Sequence, residues 1–577
     1  MEALTTVKEG NDSENYTKEP TRGPMEKSIQ ERDLDTALAK LLSTGNSNKP
    51  GEEVDKNGIV LKRQFGGYPI SVPFIISLEF CERFSFYGIQ YILTIYFTKK
   101  LLMDEEEAIL WFHEFAALSY VTPLIGAIIA DVFIGKFMTI LIMSMVYLVG
   151  IIMMALSAVG SLAPFRESVS YDETSGMWNY VPKIWGPLLA LHLIALGSGG
   201  MKPCVCSFGG DQFRASDTIK IQRFFSLFYF SVNAGALLAT GLTPELRVMA
   251  CLGESTCYPL AFGVPAFLFL IASAGFLAPS RCYVKVPPLG NPIIDVAKVS
   301  WAMAFGEESP ESLYGAKKVD QTRQLFRVLI VFLPFPVFYA LFDQQSSRWV
   351  IQADRMNGKL GTFEIKPDQM QIFNPILVMC LIPVFEIGVY PLMNKMGIAT
   401  NSTFRMIMGM FLAAVSFIVC GFVQLAMETR VATWNDANPG DIRTLDTFDK
   451  ELQIHVLTQI PQIFILACSE IMTSITITEF AYAYAPPAMK SVCMSISMLT
   501  IAFGNVIVMI FIEVTDRDLY QFFMWSGIQL IAVLLMIFVC RSQQGALEEC
   551  KAREIAGEAA IEMSDKNTDI PSHACAE

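Results

Sequence analysis

Charge is what this sequence has least of. Only 17% of its 577 residues are Asp, Glu, Lys or Arg, against 53% hydrophobic, and the mean hydropathy is positive. A soluble chain of this length carries more polar surface, so lipid is the expected solvent for most of it. Positive charge is scarcer still: 43 Lys and Arg face 56 Asp and Glu, a net charge of -13. Phosphate-driven affinity then has no source, which excludes nucleic acid as a partner. The four His are not spaced with the thirteen Cys as metal ligands, and most Cys, such as Cys81, Cys206 and Cys493, lie in apolar runs as small hydrophobes. No nucleophile with a neighbouring base, no phosphate loop and no metal set is present, so neither enzyme activity nor a cofactor is expected. An apolar h-region near Met1 is also lacking, so no cleavable signal peptide is expected. Residues 1–66, polar and charged, are expected to form a disordered cytoplasmic tail, with a short amphipathic stretch at Leu34 to Leu42 at most. The stretch after Arg541 has the same character.

What is abundant is long apolar runs. A spanning helix needs roughly 20 apolar residues, and twelve stretches meet that need. Six lie near residues 70–97, 108–133, 137–159, 183–205, 222–243 and 258–278, and six near 325–343, 372–394, 402–427, 455–485, 490–512 and 519–540. The expected fold is an all-α polytopic membrane protein, twelve transmembrane helices in two six-helix bundles, the layout of major facilitator transporters. The expected organisation is a tail over 1–66, a bundle over 67–280, a cytoplasmic linker over 281–324, a second bundle over 325–541 and a cytoplasmic tail over 542–577.

Orientation follows from the basic residues, which short cytoplasmic loops retain. Even-numbered loops carry Lys136, then Arg214, Lys220 and Arg223, then the linker's Lys285, Lys298, Lys317, Lys318 and Arg323, then Lys395; the third and ninth are acidic, with Asp172, Glu173, Asp436, Asp441, Asp446 and Asp449. Both termini are expected in the cytoplasm and the short loop with Cys251 and Cys257 outside, where a disulfide can form. The sequons at Asn11, Asn15 and Asn401 then face the cytoplasm and are expected to stay unglycosylated.

An ionisable side chain at membrane depth costs at least about 2.5 kcal/mol, and this chain places several there. Glu79, Glu82 and Arg83 fall at i, i+3 and i+4 on one face of the first helix and can share a proton-holding cluster or a static ion pair. Lys202 follows the small-residue run Gly197 to Gly200, which permits close helix approach; a carboxylate of the first helix would satisfy it. Glu470 and Glu479 are intramembrane in the tenth helix, and Glu479, beside Phe480, Tyr482 and Tyr484, suits a cationic amine or a packing hydrogen bond. His113 sits near the outer end of the second helix, where it can sense protons, with Asp343 of the seventh as a candidate partner. His192, without such neighbours, reads as structural.

These residues carry a resemblance. The run from Glu79 to Gly88 with its E-x-x-E-R core, Gly126 to Lys136 with Asp131 and Gly135, Gly199 to Pro203 around Lys202, Phe208 to Phe213, and Phe224 to Gly235 with Tyr229 and Asn233 resemble the proton-dependent oligopeptide transporters, animal branch. Phe342, Asp343, Gln344 and Gln345 with Arg348 and Trp349, and Asp368 to Asn374, extend it into the second half; residues 68–540 are covered. The resemblance implies import of di- and tripeptides with protons by alternating access, by a functional monomer; the plasma membrane is the expected location, with an endolysosomal membrane left open. It implies that Arg83 and Lys202 receive the peptide carboxylate, with Tyr87, Tyr120, Tyr229 and Asn233 as hydrogen-bonding neighbours. It assigns the amino terminus to Glu479, helped by Asn374, places Tyr339 and Gln345 at the site, and gives proton handling to Glu79, Glu82, Arg83, His113 and Asp343. Gln90, Tyr339 and Ser497 depart from the family pattern of Arg, Trp and an aromatic, which leaves open a shift toward amino acids or peptidomimetics. A transport-poor receptor or scaffold is the reading from a different class, against which the retained membrane charges weigh.

Overall fold

A computed structural model describes Glu53–Val54, Val60–Leu61, Gln64–Phe65 and residues 68–568, with breaks at 160–165, 173–176, 214–217, 288–291, 307–308, 399, 487–489, 513 and 515–516. Apart from the three short strands, the expected tail over 1–66 lies outside the described residues, with Asn11 and Asn15. The described part is helical, with a hairpin of Arg166–Asp172 and Met177–Pro182 in the third loop.

Nine stretches among the described residues are long and apolar enough to cross a membrane, ten with the bent pair Ala316–Phe332 and Phe335–Asp354, which turn by 46°. Two details bring the spans to twelve. The continuous stretch Glu105–Ser157 is two helices, Glu105–Ile128 and Gly135–Ser157, because the chain turns at Gly135 with φ 77°, a left-handed value that glycine adopts without strain. Val72–Ile95 has the length, and only the charges of Glu79, Glu82 and Arg83 at its middle set it apart from the rest.

The first six spans are Val72–Ile95, Glu105–Ile128, Gly135–Ser157, Trp185–Gly210, Thr218–Val248 and Tyr258–Leu277. The seventh is the bent pair, and the eighth runs from Phe373–Val384 through a π turn to Tyr390–Lys395. Ser402–Ala437 is the ninth; Ile460–Glu470, the π turn Ile471–Ile475 and Thr476–Tyr484 make the tenth; Lys490–Ile510 and Asp518–Thr568 complete the set. Each half buries a core of its own, Val72 to Tyr283 in the first and chiefly Leu325 to Cys540 in the second.

Two of the expected boundaries fall within helices. The linker contains the helices Pro292–Phe305 and Pro310–Tyr314, and the seventh span starts at Ala316, directly after Gly315 with φ 82°; the boundary at 324/325 therefore falls inside a helix. The last helix continues to Thr568, past the boundary at 541/542, because the sequence there is rich in Ala and Glu, which favour helix.

Close contact is built from small residues. A Cβ on Gly126 would lie 2.1 Å from the Gly200 carbonyl oxygen, so the second and fourth spans cross backbone to backbone, as the small-residue run implies. A Cβ on Gly504 would lie 2.6 Å from Pro336 O, so the eleventh span leans on the seventh at that point. At one end of the bundle the fifth and sixth spans are joined by the loop closed by the Cys251–Cys257 disulfide, and Glu254 in that loop pairs with Lys100 at the end of the first span. This disulfide end is also where the halves are fastened together. Arg247 meets Asp368 at 2.7 and 2.8 Å, Lys366 meets Glu245 at 2.7 Å, Lys99 meets Asp354 at 2.7 Å and Arg355 meets Glu105 at 2.7 Å. Arg355 also binds Asp518 at 2.6 Å; burial opposes its charge, but Glu105, Asp518 and Asp446 raise its pKa above the ordinary arginine value.

Candidate functional site

Between the halves lies a cavity of about 380 Å³. Its lining is graded: Ser346 and Gln371 are each 6% exposed, whereas Tyr229 is 61% and Met498 42% exposed. Tyr229 sits in the early part of the fifth span, toward the linker, so the cavity opens toward the linker end and is closed toward the disulfide end.

Tyr87, Tyr120, Tyr229, Asn233, Tyr339, Gln345 and Asn374, all expected at the site, line this cavity, as do Asp343, Gln90 and Ser497. The first-helix cluster also forms as its spacing requires: Arg83 Nε lies 3.2 Å from Glu79, its Nη2 contacts Glu82, and all three side chains are buried. Ser198 of the fourth span donates to the other oxygen of Glu82. Arg83 and Lys202 are not part of the cavity surface. The Lys202 ammonium, expected on a carboxylate of the first helix, instead faces aromatic rings, 4.4 Å from the Phe86 centroid and 4.8 Å from that of Tyr120. Since Tyr120 lines the cavity, this cation lies one ring behind the wall.

His113 is fully buried and joins the halves. Its Nδ1 is 2.6 Å from Asn505 Oδ1 and its Nε2 3.0 Å from Ser347 Oγ, while Asn505 Nδ2 donates to Asp343 Oδ2 at 2.6 Å. His113 and Asp343 are thus partners through one amide rather than directly. Asn505 also donates to Ile501 O at 2.9 Å; with its nitrogen committed to two acceptors, its oxygen is left to accept, so His113 Nδ1 carries the proton. Asn505 had no mark in the sequence beyond being polar in an apolar run, and Ser347 was one of several polar residues between Asp343 and Arg348; Gly504, which lets the eleventh span approach the seventh, was the available signal for Asn505.

Glu479 is corrected. It is exposed, off the cavity, and binds Arg405 Nη2 at 2.9 and 3.1 Å. Glu470 lines the cavity instead, and its Oε2 accepts from Asn374 Nδ2 at 3.1 Å, the amide that also donates to Gln345 at 3.0 Å. Residues nine apart on a regular helix are roughly half a turn out of phase, but the π turn between these two changes that phase, and Glu470 is the one that the structure places in the lining. Two of the aromatic neighbours that drew attention to Glu479 pack within the second half's own core, Phe480 on Phe332 and Tyr484 on Phe480. His192 is corrected as well: its Nε2 meets Glu114 at 2.9 Å and its Nδ1 the Leu188 carbonyl at 2.7 Å, so it has an acidic neighbour after all.

A central cavity between two six-helix halves, with intramembrane carboxylates on its wall, is the arrangement of a carrier. The POT family model, PTR2, matches residues 137–314 and 308–522. The chain belongs to the POT family. Among its relatives, Solute carrier family 15 member 1 of Rattus norvegicus is 39% identical over 415 residues, 69% of this chain and 58% of that protein. Peptide transporter family 1 of Drosophila melanogaster is 43% identical over 376 residues, 63% of this chain and 48% of that protein. The matched region therefore spans about three-fifths or less of the length of these relatives. The crystal structure of the POT family transporter PepTSo superposes with a TM-score of 0.66 at 28% identity, covering 83% of this chain and 99% of PepTSo. This POT family chain is accordingly a multi-pass membrane protein with the twelve-helix fold that its sequence implies.

Proposed function

We propose that this chain is a proton-coupled symporter that imports di- and tripeptides across the plasma membrane by alternating access, as a functional monomer, with protons as the coupling ion and no other cofactor. The observation that carries the reading is the polarity of the cavity: Glu470, held by Asn374, on one wall, and on the other phenols and an amide, Tyr87, Tyr120 and Asn233, backed by Lys202 and Arg83. A short zwitterion fits that polarity by its backbone alone, amine to Glu470 and carboxylate toward the shielded cations, and leaves the side chains free to vary.

The disulfide end is assigned to the outside and both termini to the cytoplasm. Lys285, Lys298, Lys317, Lys318 and Arg323 at the linker end support this, as does the disulfide itself, which persists in oxidising compartments. The structure is then the inward-facing state, sealed outside by the cross-half ion pairs. His113 receives the external proton, and because it binds Asn505 and Ser347 of the other half, its protonation acts on the seam between the halves. A proton on Glu79 or Glu82 weakens their hold on Arg83 and frees its guanidinium for the peptide carboxylate.

The test is current from voltage-clamped cells given a neutral dipeptide at about pH 5.5 and about pH 7.5, spanning the range in which histidine titrates. Inward current that grows with acidity supports the reading. No current despite confirmed surface expression turns it toward amino acids, peptidomimetics or a scaffold role.

A further inference from the structure

The cavity wall carries an unbalanced set of ionisable groups. Its described lining contains two carboxylates, Asp343 and Glu470, and no Lys or Arg. The nearby cations do not offset them: Arg83 is engaged by Glu79 and Glu82, and Lys202 lies behind Tyr120. The two carboxylates are built alike. Each accepts one side-chain amide on one oxygen, Asp343 Oδ2 from Asn505 at 2.6 Å and Glu470 Oε2 from Asn374 at 3.1 Å. Among the described residues nothing donates to the second oxygen of either. Gln90, Gln345 and Gln371, also in the lining, add neutral amides that bring no charge of either sign.

A zwitterionic peptide brings one ammonium and can neutralise only one of the two carboxylates. The other needs a proton or a second cation. Resting on the peptide reading above, we infer that the chain prefers peptides with a basic side chain, Glu470 taking the terminal amine and Asp343 the side-chain ammonium or guanidinium. The groups facing Asp343 are Tyr120 from the second span, Tyr339 from its own, Glu470 from the tenth and, through Asn505 of the eleventh, His113. None of them brings a fixed positive charge. A substrate cation at Asp343 occupies the far end of the His113 to Asn505 chain and takes the place of a proton there, so uptake of basic peptides depends less on acidity than uptake of neutral ones.

The discriminating pair is alanyl-arginine and alanyl-citrulline, nearly the same in shape and different in charge. Each competes with labelled alanyl-alanine for uptake into proteoliposomes containing the full chain. At about pH 7.5 alanyl-arginine should compete at roughly tenfold lower concentration, the size of one uncompensated charge contact, and the gap should narrow at about pH 5.5 as protons fill the same place. In Asp343→Asn, read by ligand-induced thermal shift of the purified protein so that no transport is required, the gap should fall below about twofold. Equal competition by both peptides at both pH values, with alanyl-alanine uptake intact, overturns the preference and leaves the peptide reading standing. Absence of uptake for every peptide, with the protein reconstituted and folded, overturns the peptide reading itself. A gap that persists in Asp343→Asn overturns the place given to Asp343.

Discussion

On the first half of the bundle, Glu79, Glu82 and Arg83 are buried against one another and Lys202 is covered by rings, so the cavity meets chiefly phenols and amides there. On the second half, Asp343 and Glu470 stand in the cavity surface with one oxygen each left without a donor among the described residues. Both halves accept the cost of charge at membrane depth, but the first recovers it internally and the second leaves part of it for a ligand. A site divided in this way has a fixed polarity before any substrate arrives, and the divided charge teaches which residues to disturb.

The largest effect should come from the open wall. Glu470→Gln removes the charge expected to hold the amine while keeping the Asn374 contact, and should cut uptake at low peptide concentration by about a hundredfold, since losing a buried charged hydrogen bond costs about 2–5 kcal/mol. Uptake within a few-fold of the parent would mean that the second wall is not where the amine sits. Next is Arg247→Ala, where the halves meet charge to charge. It leaves Asp368, fully buried, without its partner, a loss of about 3–5 kcal/mol. Labelling of a cysteine introduced in the cavity from the disulfide side should rise sharply, and the double variant with Asp368→Ala should recover part of the closed population; unchanged labelling would dissociate this pair from the seal. A middling effect is expected from Asn505→Ala, which breaks the link between His113 and Asp343 at about 1–3 kcal/mol for a stranded buried group. It should lower the ratio of uptake at acid pH to uptake at neutral pH by roughly tenfold while binding of neutral peptide changes little; an unaltered ratio would remove Asn505 from the coupling. The smallest effect belongs to Glu479→Gln. Glu479 is itself half exposed in its pair with Arg405 and lies off the cavity, so uptake should stay within about twofold, in line with the small worth of such pairs. A loss equal to that of Glu470→Gln would restore the reading that sequence alone suggested.

That reading went astray for a physical reason. The i, i+3, i+4 spacing of Glu79, Glu82 and Arg83 determines a shared face on a straight helix, and the three meet as the spacing says. Glu470 and Glu479 lie on either side of a π turn, where periodicity no longer tells which face is which, and aromatic neighbours then favoured the wrong one. The twelve spans were legible because lipid demands long apolar runs, whereas Lys202 was paired in expectation with a carboxylate because charge complementarity is local knowledge and ring stacking is not. The amide between His113 and Asp343 was hidden for a simpler cause. Asn505 is 392 positions from His113 in sequence, and the packing of the eleventh span against both the second and the seventh brings it there.

The seal at the disulfide end has a consequence for how the molecule responds to its medium. Arg247 and Asp368 are hidden from mobile ions while the halves are together, so added salt leaves that pair untouched; once they separate, each charge gains a counterion atmosphere, and at about 0.15 M the screening length is only about 8 Å. Ionic strength on that face should therefore favour the separated arrangement, whereas on the opposite face it meets an already hydrated mouth. The bath composition on the two sides of the membrane is then not equivalent for this chain, and a salt gradient alone, without peptide or a pH difference, biases which way the cavity points.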